Sequence, residues 1–359
     1  MSRLLLILVN LAAAILLSAC IFKPQPFDDK KWLETVEMTD AADLYSENFH
    51  DGIYFNPWLI REDHSFATFL KWRFSQKPSY SEEAIRNKPA VIPDLMERIA
   101  KLESDQDFIA WIGHATFLFR IQGQYWLTDP IFSERALLPK RVTPPAIQAE
   151  DLAGLQGNLN VIISHNHYDH LDKNSIRNLP AATSFYVPMG LKNSIASFAP
   201  GPVVELNWWE EIALGDDVIL TCLPAQHWSR RVFEGYNTTL WASFMVSTPQ
   251  KTVYFAADSG YFKGYREIGR KFTIDYALLP ITAYEPRWFM HYPHMDTGEA
   301  LQAFSDLRAE FFIPTQWGTF HLGDNPPGLP PLDLQRDIKE MHLDPDRFLI
   351  LDIGEIRLL

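Results

Sequence analysis

Cysteine is almost missing from this chain. Of its 359 residues only Cys20 and Cys222 are cysteine, which excludes a disulfide scaffold and a cysteine-rich zinc module. Basic residues are scarce as well: 32 Lys+Arg stand against 45 Asp+Glu, a formal net charge of −13. A nucleic-acid binder needs a positive surface, so that class of partner is set aside. Low-complexity runs, repeats of solenoid period and an apolar stretch of the roughly 20 residues that span a bilayer are also lacking. What is there is globular: 47% hydrophobic, 13% aromatic and 21% charged residues, enough core for one large α/β domain or two ordinary ones.

The first residues read as an address. Arg3 is the only charge before Lys23, residues 4–17 are apolar apart from Asn10, and Leu17-Ser18-Ala19-Cys20 follows. A short positive start, an apolar stretch and small residues before a cut site describe a secretory signal. Leu-Ser-Ala-Cys resembles the bacterial lipobox. That resemblance implies a signal peptide over 1–19, a mature chain beginning at an acylated Cys20, and, with Ile21 next, sorting to the outer membrane of the cell envelope. Residues 21–31, with Pro24 and Pro26, read as a tether, and 20–51 as an anchor and N-terminal extension. Cys222 lies in the apolar run 218–223 and reads as a packed core thiol.

Beyond Gly52 short apolar segments recur, and strands are expected at 108–112, 117–121, 125–128, 161–164, 184–187, 203–206, 218–223, 243–247, 252–256, 276–280, 311–314 and 348–351. Helical patterns fall at 172–178, 190–198, 264–272, 298–304 and 331–341. Early strands follow one another as hairpins and later ones alternate with helices, which predicts α/β sheets with helices packed outside them. The polar residues able to do chemistry fall just after strand ends.

The strongest of these signals is Val161-Ile-Ile-Ser-His165-Asn-His167-Tyr-Asp169-His170-Leu-Asp172. Imidazole and carboxylate are ligands that zinc prefers, and a short loop can aim alternate side chains at one point. His165 and His167 can serve one ion, and Asp169 and His170 a second. His227, after the 218–223 strand, and Asp258, in Ala257-Asp258-Ser259-Gly260, are candidate ligands from elsewhere in the fold.

These residues, in this order, resemble the metallo-β-lactamase-fold hydrolases. A closer resemblance covers 52–359, to the phospholipase D that hydrolyses N-acyl-phosphatidylethanolamine and its bacterial relatives. It rests on Asn56-Pro57-Trp58, Trp111-Ile-Gly-His-Ala-Thr116, Leu127-Thr-Asp129-Pro-Ile-Phe-Ser133, the His165–His170 loop, Gln226-His227-Trp228, Tyr284-Glu-Pro-Arg-Trp-Phe-Met290 and Trp317-Gly-Thr-Phe320. The resemblance implies a four-layer αβ/βα sandwich over 52–359. It implies a zinc held by His165, His167 and His227, a second zinc held by Asp169 and His170, and Asp258 bridging them. It places Asp129 behind the site, orienting an imidazole, and His294 near the cleft. The relatives' last ligand, a His before Trp-Gly-Thr-Phe, is here Gln316, whose amide oxygen suits zinc poorly. Gln316, His321 and His294 are the candidates to fill that place, and the second site is expected to be weakened. His114 is read as structural.

The implied activity is that of a zinc-dependent phosphodiesterase acting on phospholipids through a metal-activated water, with Asp169 as proton acceptor. A lactonase or amidase would use the same residues on a carbonyl, and a membrane-tethered binding protein is the non-catalytic alternative. Trp228, Trp288 and Trp317 adjoin the site positions and could line a cleft, and the abundance of tryptophan permits a homodimer.

Overall fold

In the computed structural model the described residues are 26–61, 65–215 and 217–359. The expected signal peptide, the lipobox with Cys20 and residues 21–25 of the tether lie outside them. A short hairpin, β1 (Phe49–His50) and β2 (Ile53–Tyr54), precedes two larger sheets. The first is built from β3 (Phe108–Gly113), β4 (Thr116–Ile121), β5 (Gln124–Thr128), β6 (Leu159–Ile162), β7 (Ser184–Pro188) and β8 (Val203–Leu206). The second holds β9 (Glu211–Ala213), β10 (Ile219–Leu223), β11 (Ser243–Ser247), β12 (Thr252–Phe255), β13 (Tyr276–Pro280) and β14 (Phe311–Thr315). The last strand, β15 (Ile356–Leu358), returns to the first sheet beside β3. The spatial orders are β15-β3-β4-β5-β6-β7-β8 and β14-β13-β12-β11-β10-β9.

Strand alternation explains the layers. Along β3, Ile109 and Trp111 point into the core shared with the second sheet. Phe108, Ala110 and Ile112 point to a separate core beneath short outer helices that include Lys173–Arg177 and Lys192–Ala196. Both faces of this sheet are therefore buried, and β3 reads as a continuous apolar run. Helices Gly264–Lys271 and Thr297–Leu307 pack on each other, and Thr297–Leu307 also packs on β13 of the second sheet. The result is the αβ/βα sandwich.

Strand direction gathers the chemistry. Two antiparallel steps make β3 and β5 run the same way, and β6 is parallel to β5. In the second sheet β10 and β12 likewise agree, and β13 and β14 are parallel to β12. The C-terminal ends of the strands in each set thus lie together, and the residues that follow them converge on one cleft.

Two expectations need correction. Residues 348–351 form no strand: Phe348 makes one isolated bridge to Phe312, and the edge partner of β3 is β15. The tether does not run to Lys31. Asp28 caps a helix over Asp29–Glu37 that buries Trp32 and Val36 in the central core. The helix Phe66–Phe74 was not expected, because aromatic residues on several sides blur an amphipathic pattern.

Candidate metal centre

The His165–His170 loop leaves β6 and is held by contacts outside itself. The buried Arg231 donates from Nη1 to the carbonyls of Asn166 and Leu171, both at 2.8 Å, and its guanidinium lies over the Tyr168 ring. Asp172 closes the loop by capping the helix Lys173–Arg177. The His227 loop is buttressed by the Asn56-Pro57-Trp58 motif: Asn56 Nδ2 donates to His227 O at 3.2 Å and Trp58 Nε1 to Gln226 Oε1 at 3.1 Å.

Two groups of ligand atoms result. His165 Nε2 and His227 Nε2 lie 2.8 and 3.2 Å from His167 Nδ1. Asp258 Oδ2 is 3.4 Å from His227 Nε2 and 3.8 Å from His165 Nε2. Zinc–nitrogen bonds of about 2.0–2.1 Å in a tetrahedral site put neighbouring donor atoms roughly 3.3 Å apart, so the spacing suits one such ion. His227 Nδ1 lies 3.2 Å from Pro293 O, which keeps the proton on that nitrogen and turns the Nε2 lone pair inward.

The second group contains Asp169, His170 and, against expectation, His114, whose facing atoms lie within 4.8 Å of one another. His170 Nε2 is 3.3 Å from Asp169 Oδ2 and 3.2 Å from Asp258 Oδ1, and it is buried with no hydrogen-bond partner. An orphaned ring nitrogen aimed between two carboxylates is what a cation would satisfy. Asp258 faces both groups, one oxygen toward each.

Asp129 stands behind them, fully buried. Its Oδ2 is 2.6 Å from His170 Nδ1 and accepts from Ser164 Oγ at 2.5 Å, while Oδ1 accepts the Ser164 backbone N–H at 2.7 Å. Ser164 Oγ also lies 2.9 Å from His165 Nδ1. One carboxylate therefore steadies an imidazole of each group, a relay through Ser164 that the sequence reading missed.

Electrostatics separate the two groups. Burial holds the protonation range of His165 and His227 well below the usual imidazole value and brings His167 to about 4, so these rings are neutral. Burial opposes charge on His170 too, but the carboxylates of Asp258, Asp169 and Asp129 outweigh it and raise its pKa well above the ordinary value. Burial also works against charge on Asp169 and Asp258, and their pairing with His170 overrides it and keeps both ionised.

The remaining expected residues fall as follows. His294 lines the cleft beside His227, with ring centres 5.5 Å apart. His321 is exposed and belongs to neither group. Gln316 is buried at the end of β14, where its Nε2 donates to Asp258 Oδ1 at 2.6 Å; it presents a donor to that carboxylate. Trp228 lines the cleft, Trp317 is buried and stacks on Trp111, and Trp288 lines a separate hollow with Phe27. The metal groups open on a cavity of about 970 Å³ walled by Phe69, Trp72, Leu137, Leu138, Tyr236 and Phe289. Leu138 is 77% exposed there, and Phe233, on the loop bearing Glu234 and Tyr236, is fully exposed.

Comparisons with known proteins bear on the fold and the family. The β-lactamase superfamily domain profile matches residues 125–317. The chain is 35% identical over 269 residues to N-acyl-phosphatidylethanolamine-hydrolyzing phospholipase D 1 of Caenorhabditis elegans, covering 69% of this chain and 75% of that protein. It is 28% identical over 218 residues to a metal-dependent hydrolase of Pyrobaculum neutrophilum, covering 60% and 85%. Among solved structures, Igni18, a metallo hydrolase of Ignicoccus hospitalis, shares the fold, with a TM-score of 0.55 at 21% identity over 71% of this chain and 98% of its own.

Proposed function

The chain belongs to the metallo-β-lactamase-fold hydrolases, in the family of the N-acyl-phosphatidylethanolamine-hydrolysing phospholipases D, and from that premise we propose that it is a zinc-dependent phosphodiesterase acting on phospholipids. One observation carries the reading: a two-part His/Asp centre lies at the floor of a cleft of about 970 Å³ whose walls and lip are apolar. Such walls accept acyl chains while the floor meets a phosphodiester.

His165, His167, His227 and Asp258 would hold one ion, and Asp169 and His170, with Asp258 beside them, would hold the other. Zinc bound there supplies a Lewis acid that activates water near neutral pH and offsets charge gathering on the phosphoryl oxygens. Asp169, which also lines the cleft, takes the proton of the attacking water. Asp129 keeps His170 in register, and the His294 imidazole at the cleft wall donates to a phosphoryl oxygen. Arg61 adds positive charge from its place over the Trp228 ring, 4.3 Å from the centroid. Phe69, Trp72 and Phe289 keep bulk water from the bound diester. An acylated Cys20 would hold the enzyme to the outer membrane, next to its substrate.

The test is direct. Zinc-loaded protein is incubated with vesicles of glycerophospholipids and of N-acylated phosphatidylethanolamine. Release of phosphatidic acid is expected; metal-loaded protein that releases none from any of these lipids overturns the substrate class.

A further inference from the structure

The second group of ligands has a gap in the family pattern at Gln316, and the structure shows what stands closest to it. We propose that His114 supplies the missing imidazole, so that the second ion is held by His114, Asp169, His170 and Asp258, with Gln316 outside the coordination shell. This deepens the two-ion reading given above and rests on it.

Three observations carry the inference. His114 is fully buried at the end of β3, and its Nε2 lies 3.0 Å from Asp169 Oδ2, the same oxygen that faces His170 Nε2 at 3.3 Å. The three atoms form one cluster within 4.8 Å, while His321 and His294 are in neither cluster. Gln316 is occupied otherwise: its amide nitrogen faces two acceptors, Asp258 Oδ1 at 2.6 Å and Ala257 O at 3.5 Å, so the amide orients a bridging carboxylate.

The backbone explains how one residue can stand in for the other. The Gln316 N–H donates to His114 O at 3.1 Å, and the His114 N–H donates to Thr319 Oγ1 at 3.0 Å. The turn after β3 is thus sewn to the loop after β14, and from these adjoining loops His114 faces Asp169 while Gln316 faces Asp258, the two carboxylates that flank His170 Nε2. His114 (φ +54°) and Gln316 (φ +72°) both take the left-handed conformation, which turns each side chain out of its strand direction.

Metal content after exhaustive dialysis from zinc, read by elemental analysis on the full folded chain, decides the matter without reference to turnover. The unaltered protein is expected to keep two ions, His114→Ala one, Gln316→Ala two, and the double variant His114→Ala/Gln316→His two again. Loss of the second ion should appear as a fall in its affinity of more than about 100-fold, beyond the range seen for outer-shell partners. The double variant separates ligation from a folding defect, because it restores an imidazole without restoring His114. Two ions in His114→Ala, or one in Gln316→Ala, overturns the proposal. One ion in the unaltered protein overturns it while leaving a metal-dependent hydrolase. No retained metal at all overturns the two-ion reading and this proposal with it.

Discussion

The group around His165, His167 and His227 joins three imidazoles to one oxygen of Asp258, whereas its neighbour sets His170 among Asp129, Asp169 and Asp258. Without metal, the three imidazoles of the first group are neutral because burial makes them so, and its charge sits on Asp258. The second is a knot of charge in which a cationic imidazole offsets carboxylates that burial would otherwise discharge. Both occupy the same cleft floor, so their difference comes from residue choice at strand ends and not from depth. Neutral imidazoles wait for a cation. In the second group His170 offsets its carboxylates only in part, and losing it leaves them facing one another uncompensated.

The largest effect should come from the residue that belongs to both. Asp258→Asn keeps shape but removes the charge shared by the two groups. Hydrolysis should fall on the order of 10⁴-fold, with neither ion retained after dialysis. An Asp258→Asn protein that keeps one ion would show the groups to be independent.

Next, the two groups should respond differently to loss of an imidazole when metal is stripped by a chelator. His227→Ala removes a neutral ring and should change the thermal midpoint of metal-free protein little. His170→Ala leaves buried carboxylates facing one another and should cost about 3–5 kcal/mol, read by denaturant unfolding. Equal losses in the two variants would remove the electrostatic contrast.

The contrast also marks how far a sequence can be read. The sheets were legible because strands buried on both faces are uninterrupted apolar runs, as in β3 and β13. The first group was legible because a His-x-His-x-Asp-His loop after such a run has few other uses. His114 was not, since its place depends on the left-handed turn after β3 and on hydrogen bonds to a loop about 200 residues away, neither of which spacing encodes. The available signal was positional: like the other site residues, it follows the end of an apolar strand. Trp317 and Trp288 show the same limit in reverse. Adjacency in sequence suggested the cleft, but the turn after β14 buries the first against Trp111 and a separate hollow takes the second.

Asp129→Asn tests how the groups are steadied. Asn has one accepting oxygen where Asp has two, so its NH2 group must face either the Ser164 backbone N–H or the pair Ser164 Oγ and His170 Nδ1, and at least one of the three bonds is lost. Affinity for the second ion should fall about 10- to 100-fold in a competitive chelator titration, with a smaller change at the first. A larger loss at the first ion would mean that Asp129 acts chiefly through Ser164.

The smallest effect isolates that relay. Ser164→Ala leaves Asp129 bonded to His170 and to the residue 164 backbone N–H, and it removes only the hydroxyl between Asp129 and His165 Nδ1. The buried His165 Nδ1 then loses its partner, and the ring can turn away from the cluster. Only the first ion should be affected, by about tenfold in affinity, because outer-shell partners of a ligating imidazole are worth 10–100-fold and His165 is still confined by its neighbours. The second ion should bind as before, since His170 keeps its own carboxylate. Asp129→Asn would then weaken the second ion and Ser164→Ala the first, and the two variants together would trace one carboxylate dividing its hydrogen bonds between two metal sites.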